Sequence, residues 1–194
     1  MKKYFGTDGI RGVVGDDVMN QDTAYRLGQA MVIFARENNL VTKFVIGHDT
    51  RWSANELELA AIEGIKKENG KIILAGLIPT PGLALLARTE GVGFGLMITA
   101  SHNDYTFNGF KLVTNAGGKL SLEEEGKMEE LIDGAATIPA DLELISEDSD
   151  REVYKNKYNS FLLDIFRDDD FSDINVVLDC ANGATCEVAP SIFT

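Results

Sequence analysis

Between Thr99 and Lys111 the chain reads T-A-S-H-N-D-Y-T-F-N-G-F-K. Ser101, His102 and Asn103 follow an apolar, glycine-bearing run from Gly91 to Ile98, and Lys111 opens the apolar pair Leu112-Val113. Asn108-Gly109 is a turn signal. The pattern predicts a strand, a tight polar loop with Ser101 at its tip, and a returning strand that brings Lys111 beside it. A hydroxyl on a rigid loop near a cation can carry a nucleophile or a phosphate. The plainer alternative is a Ser-His-Asn turn that hydrogen-bonds its own backbone, as these residue types often do. Spacing alone leaves both readings open.

Other chemistries find less support. A serine hydrolase would place its nucleophile in a G-x-S-x-G elbow, which Ser101 does not occupy. The adjacent His102 would diverge from it in extended backbone, so His48 would have to serve as base. His48 stands in G-H-D-T-R at 47–51, behind the short apolar run Phe44-Val45-Ile46. There it reads as a hydrogen-bonded structural histidine, with Asp49 and Arg51 bracing the loop. Asp168-Asp169-Asp170 could suggest a metal, but consecutive side chains diverge, and a loop or helix terminus is the better reading. From Phe5 to Gly12, glycines at 6, 9 and 12 surround Thr7, Asp8 and Arg11. Glycines there let backbone approach a ligand closely. Neither G-x-G-x-x-G nor the lysine-bearing phosphate loop occurs in that octet.

With 194 residues, 44% of them apolar, the chain has room for one full domain and part of another. Its 18 basic and 31 acidic side chains leave a net charge of −13. That argues against a nucleic-acid partner, which calls for a basic face. It leaves an anionic substrate open, because a few local cations can dominate a pocket. Cys180 and Cys186 read as reduced packing residues rather than a disulfide or a zinc site. No apolar stretch is long enough to span a membrane, and the first residues lack a signal-peptide core. A cytoplasmic protein is expected.

The elements that must position the loop alternate. Asn20 can cap a helix to about Asn39, with Ala24, Leu27 and Met31 on one face. Phe44 to Ile46 reads as a buried strand. Ser53 with Glu56, and Ser121 with Glu124, have capping-box spacing before helices to about Glu68 and Asp133. Lys71 to Ala75 and Gly91 to Ile98 read as strands, and Thr80-Pro81 opens a helix. Strands alternating with helices imply a layered α/β/α domain with a mixed sheet over 1–140. The acidic region from Glu123 to Asp150 reads as a solvated face and linker, with a domain boundary within 135–155. Beyond it, Asp150 to Phe166 reads as a helix anchored by Val153, Tyr158, Phe161, Leu162 and Ile165, and Ile174 to Leu178 as a buried strand. Residues 150–194 are expected to begin a second α/β domain and to leave it incomplete.

The loop resembles the active-serine signature of the α-D-phosphohexomutase superfamily, T-A-S-H-N-P followed by N-G-x-K. Three further segments agree in type and order: F-G-T-D-G-I-R-G at 5–12, G-H-D-T-R at 47–51 and V-V-L-D-C-A-N-G-A at 176–184. The opening octet is most similar to the phosphoglucosamine mutase branch. Asp104 departs from the pattern, standing where the family has proline. Its presence implies a less rigid loop and an added negative charge near a phosphate.

The resemblance implies a phosphoryl shift between the 6 and 1 positions of a hexose phosphate, through a hexose bisphosphate. The sugar would be glucosamine phosphate, with glucose or mannose phosphate as alternatives. Ser101 would carry the phosphoryl group, and Arg11 and Lys111 would stabilise charge and assist proton transfer. His102 and Asn103 would hold the loop and contact phosphate, and Thr7 would bind phosphate from the facing loop. Mg2+ would bind an oxygen of the Ser101 phosphate, its other ligands coming from a D-G-D-x-D loop that this sequence lacks. Sugar-recognition segments are also missing, so the chain resembles an amino-terminal portion, inactive alone or acting in binding or assembly. Residues 150–194 could pair with a second copy, making a homodimer possible.

Overall fold

A computed structural model of the protein describes residues 3–144 and 151–193. Six strands form one sheet: β1 (Phe5–Gly6), β2 (Gly9–Val13), β3 (Lys43–His48), β4 (Lys71–Leu77), β5 (Phe94–Ile98) and β6 (Phe107–Thr114), in the spatial order β1-β2-β6-β5-β3-β4. β3 lies parallel to β4 and to β5, while β5–β6, β2–β6 and β1–β2 are antiparallel. The mixed sheet expected from the sequence is therefore present.

The helices are α1 (Gln21–Glu37), α2 (Ala54–Lys67), α3 (Thr80–Thr89), α4 (Leu122–Gly134), α5 (Arg151–Ile165) and α6 (Val188–Ile192). Strand side chains alternate between faces, and this period separates two cores. Phe44, Ile46, Phe94, Leu96 and Phe110 meet Leu27 and Met31 of α1, Ile62 of α2 and Met128 of α4 on one side. Val45, Ile73 and Met97 meet Leu83 of α3, Tyr158 of α5 and Val188 of α6 on the other. The domain is thus layered α/β/α.

Helix starts follow their capping residues in two cases out of three. Asn20 accepts from the Thr23 amide at 2.8 Å. Ser121 and Glu124 close a reciprocal capping box, with bonds of 3.2 and 2.7 Å. The box expected at Ser53 and Glu56 does not form. Ser53 is in helical conformation without a side-chain cap, and its Oγ instead accepts from Asn108 Nδ2 at 2.9 Å. Asn108 is fully buried, and a buried amide must find partners; that demand outweighs a local cap.

Asn108-Gly109 also differs from expectation: it lies inside β6, with Gly109 paired to Arg11. Glycine is required there by crowding. A Cβ would stand 2.7 Å from the Thr99 carbonyl oxygen and 2.8 Å from that of Ile10. The reversal is made instead by residues 99–106, between β5 and β6.

The acidic face is only partly solvated. Glu129 on α4 accepts from the Tyr4 and Phe5 amides at 2.7 and 2.8 Å, tying down the start of the chain. The acidic cluster at 147–150 and part of the 135–155 boundary lie outside the described residues. α5 packs against β4 and α3. Of its expected anchors Tyr158 is buried and Leu162 partly so, whereas Val153, Phe161 and Ile165 are exposed. Ile174 to Leu178 forms no strand, and Val177 is 96% exposed. A β-rich run buries its side chains only when neighbouring strands accept its backbone, and none of the described residues pairs with it.

Candidate active site

Ser101 stands three residues beyond the end of β5. Its φ is +58°, a left-handed conformation that costs an L-residue roughly 1–2 kcal/mol and persists only where surroundings enforce it. They do so through a short hydrogen-bond chain. Thr99 Oγ1 donates to Asp49 Oδ2 at 2.5 Å and accepts from the Ser101 amide at 3.0 Å. Arg51, from the loop after β3, holds the remainder. Its Nε donates to Asp49 Oδ2 at 3.1 Å. Its terminal nitrogens donate to the carbonyls of Ser101, Asn103, Asp104 and Phe107 at 3.0, 2.8, 2.7 and 2.8 Å. One guanidinium thus reaches four carbonyls, of which, among the described residues, only that of Asp104 has another partner, the Phe107 amide at 3.0 Å. Asp49 and Arg51 were expected to brace their own loop, and the Arg51 amide does donate to Asp49 Oδ1 at 3.1 Å; their hold on the serine loop goes beyond that expectation.

Asp104 closes the loop from the other side. Its Oδ1 accepts from the Thr106 amide at 3.0 Å and from Thr106 Oγ1 at 2.8 Å, and these bonds lower its carboxyl pKa. The rigidity expected to be lost with the family's proline is replaced here by an Asx-type turn.

Ser101, His102 and Asn103 line a cavity of about 650 Å³, together with Thr50, Trp52 and Tyr105. Asn182 and Gly183 line its far side, and Thr50 Oγ1 donates to the Asn182 carbonyl. His102 is exposed at the rim and makes no side-chain hydrogen bond among the described residues. His48 is half-buried, and its Nδ1 lies 2.8 Å from the Asp49 carbonyl oxygen. That is the structural role expected of it.

Arg51 lines this cavity, but Arg11, Lys111 and Lys119 gather next to it. Arg11 NH1 donates to Asn103 Oδ1 at 3.0 Å, and its NH2 donates to Asp8 Oδ2 at 2.8 Å. Lys111 Nζ lies 2.8 Å from Asp8 Oδ2, and Lys119 Nζ 2.7 Å from Asp8 Oδ1. Asp8 therefore receives three cations. Hydrogen bonds from Lys111 and then Lys119 hold its carboxyl far below the usual carboxylate range. Arg11 Nε is buried without an acceptor. Thr7 lines a smaller depression shared with Asp8 and Arg11.

The expected site residues thus fall into two groups, bridged by Arg11 and Asn103. Asp8 and Lys119 were not singled out as functional by sequence reasoning. The signal for Asp8 was its place three residues before Arg11, but its partners are far apart in the chain.

Cys180 and Cys186 are free thiols. Among the described residues no group of three His, Cys, Asp or Glu side chains could hold a metal, and no helix is long and apolar enough to cross a membrane.

Comparisons with known proteins agree with this arrangement. The chain is 41% identical over 197 residues to phosphoglucosamine mutase of Clostridioides difficile and 44% identical over 201 residues to that of Finegoldia magna. In both cases all of this chain is covered but only 43% of the relative, so the chain spans less than half their length. A Thermus thermophilus protein assigned as a phosphomannomutase superposes with a TM-score of 0.68 and 31% identity over 85% of this chain and 37% of its own. A phosphoglucomutase/phosphomannomutase family protein from Burkholderia thailandensis shares the fold, with a TM-score of 0.71 at 24% identity, covering 95% of this chain and 40% of that one. Residues 2–138 match the family described as phosphoglucomutase/phosphomannomutase, alpha/beta/alpha domain I, and the chain belongs to that family.

Proposed function

We propose that this chain is the serine-bearing amino-terminal portion of a phosphohexomutase that interconverts glucosamine 6-phosphate and glucosamine 1-phosphate. The observation that carries this reading is the Ser101 loop. It is held in left-handed backbone by Thr99, Asp49 and Arg51, at the mouth of a cavity and next to clustered cations. The amino-sugar assignment rests on the two phosphoglucosamine mutase relatives and on the octet at 5–12. Residues 1–140 form the first domain in this reading and 150–194 begin the second. The free thiols and the chemistry suit the cytoplasm.

In the forward direction phosphorylated Ser101 gives up its phosphoryl group. The Oγ–P bond breaks, a new O–P bond forms at the sugar 1-hydroxyl, and a 1,6-bisphosphate results. The bisphosphate then turns over. Ser101 Oγ attacks the 6-phosphoryl group, regenerating phosphoserine and releasing the 1-phosphate. Each hydroxyl that attacks loses a proton and each oxygen that leaves gains one. Lys111 is the cation assigned to that exchange at the serine, and Arg11 stabilises the equatorial oxygens, as phosphoryl transfer demands. Asn103 presents Arg11 to the loop, Thr7 binds phosphate from the neighbouring depression, and His102 contacts the phosphoryl group at the rim.

Magnesium is the metal implied for this chemistry. Ser101 can supply one phosphoryl oxygen, while Asp49 is committed to Arg51 and Asp8 to the lysines. Magnesium demands near-octahedral oxygen coordination, so the described residues do not make its site, and no step above runs through it. For the same reason this chain alone is expected to lack turnover.

Ser101→Ala in the full-length protein tests the reading. Glucosamine phosphate turnover is expected to vanish, the circular dichroism spectrum to stay unchanged, and phosphopeptide mapping of the wild type to place phosphate on Ser101. Phosphate on another residue, or turnover in the alanine variant, overturns it.

A further inference from the structure

We propose that Asp8 is a positioning residue for phosphoryl transfer: its carboxylate holds Lys111 and Arg11 in the geometry that meets the phosphoryl group, with Lys119 as a third, outer cation of the same site. This inference rests on the function proposed above and assigns a role to two residues that function did not use.

The geometry is specific. Asp8 Oδ2 takes both Arg11 NH2 and Lys111 Nζ at 2.8 Å, and Asp8 Oδ1 takes Lys119 Nζ at 2.7 Å. The three cations arrive from different elements. Arg11 comes from β2, Lys111 from β6, and Lys119 from the turn after β6. None of these contacts is a local helix pairing. The side chains of Arg11 and Lys111 are 25% and 16% exposed, and that of Lys119 is 68% exposed. A lysine has a flexible four-carbon stem and a point charge, so Lys111 gains a defined position only from a partner at its end. Among the described residues that partner is Asp8.

The charge balance suits an incoming phosphoryl group. Three positive charges meet the Asp8 carboxylate, and the Glu125 carboxylate lines the same depression as Lys111 and Lys119, so these groups leave a local surplus of about one. A phosphoserine carries about −1.5 to −2 at neutral pH. Arg11 already reaches the Ser101 loop through Asn103, and its buried Nε still lacks an acceptor. Asp8 thus keeps like-charged groups together before phosphate arrives, which is preorganisation rather than contact with the reacting atoms. The glycines beside it serve the same approach. A Cβ on Gly9, whose φ is +85°, would collide with the backbone of Phe110, so β2 could not lie this close to β6.

The test uses the full-length protein with Asp8→Asn, Asp8→Glu and Lys119→Met, read in two ways. The first is transfer from glucosamine 1,6-bisphosphate to dephosphorylated Ser101, followed by phosphopeptide mass spectrometry. Asp8→Asn is expected to lower the maximal transfer rate about 10²-fold, the cost of misplacing a reacting partner by about 1 Å, with KM little changed. Asp8→Glu recovers most of that rate, and Lys119→Met costs less than Asp8→Asn. The second is site-resolved lysine acetylation, which needs no turnover: Lys111 should label faster in Asp8→Asn and at the wild-type rate in Asp8→Glu. Equal transfer rates and equal labelling in wild type and Asp8→Asn overturn the proposal. So does equal loss in both Asp8 variants with matching loss of Tm, which marks Asp8 as merely structural. A wild type that accepts no phosphoryl group overturns the mutase reading instead, and the labelling then decides the anchoring role by itself.

Discussion

Phe44, Phe94 and Phe110 come from three neighbouring strands and are no more than 1% exposed, whereas Phe161, Phe171 and Phe193 are 43%, 53% and 61% exposed. The residue type is the same and the environments are opposite. In the first group each ring is placed by a strand with partners on both sides and a helical layer beyond. In the second, an outer face of α5, the turn after it and the end of the short α6 offer no second layer. Burial therefore follows long-range pairing and not local hydrophobicity. α5 lies between the two cases, with Tyr158 inside the second core and Arg151 NH2 on Glu58 Oε2 at 2.8 Å.

The sharpest way to break this comparison is to cut the tie that holds the serine loop to the paired region. Arg51 and Asp49 have side chains 10% and 11% exposed. Arg51→Met leaves the Asp49 carboxylate buried without its ion pair and the carbonyls of Ser101, Asn103 and Phe107 without a donor. Losing one partner of a buried pair costs about 3–5 kcal/mol. Urea unfolding should show a loss of that size, with the turnover proposed for the full-length protein lost as well. A loss below about 1 kcal/mol would mean that the loop holds itself.

A second substitution probes the layer behind the sheet. Gly28 and Gly64 lie where α1 and α2 meet, and a Cβ on Gly64 would run into the Tyr25 carbonyl oxygen. That oxygen belongs to helix backbone and cannot rotate away. Overpacking of this kind costs about 1–3 kcal/mol, and Gly64→Ala should lower the urea midpoint accordingly. Unchanged stability would show that the two helices can separate freely.

These two cases also mark what the chain alone could and could not convey. The alternation of elements and the caps at Asn20 and Ser121 were legible, because periodicity and spacing carry them; the meeting of residues 47–51 with 99–106 was not, because it joins groups about 50 positions apart. The fate of Asn108-Gly109 was not. As a dipeptide it signals a turn, and only the neighbouring backbones of Thr99 and Ile10 turn Gly109 into a strand residue. Ser53 had capping-box spacing but was claimed by Asn108, which is 55 positions away. Asp8 was visible as a polar residue in a glycine-rich octet, yet the lysines that define it lie more than a hundred positions along. Ile174 to Leu178 has the composition of a buried strand and lacks the partners. In each case local pattern failed where a distant group decided the outcome.

Acid sensitivity gives a smaller effect within the paired region. The Asp8 carboxyl has its pKa lowered by Lys111 and Lys119. Its contribution to stability is therefore fully present above the unfolded value of about 3.9 and is lost as pH falls below that toward the depressed folded value. Asp8 is one-third exposed, so solvent screens part of the gain. The stability gap between wild type and Asp8→Asn, followed by urea unfolding from pH 6 down to pH 2.5, should be constant above about pH 5 and narrow below about pH 4. A gap that does not change over this range would remove the ion pairs from the account.

The smallest expected effect lies in the other region, and it decides whether the comparison holds. Val177 is 96% exposed and Ile174 59% exposed, in a run that forms no strand. Removing apolar surface that already faces water changes little, and substitutions away from packed features stay within about 0.5 kcal/mol. Val177→Ser in this 194-residue chain should therefore leave the urea midpoint where it is. Tyr158→Ala is the matched control. Tyr158 is 8% exposed and packs with Ile78 and Leu83, and emptying such an aromatic site costs about 3–5 kcal/mol. A large effect at Val177 would mean that the run is buried in solution, against a sheet edge or a second copy of the chain. The contrast would then reflect which neighbours are present and not which residues can be buried.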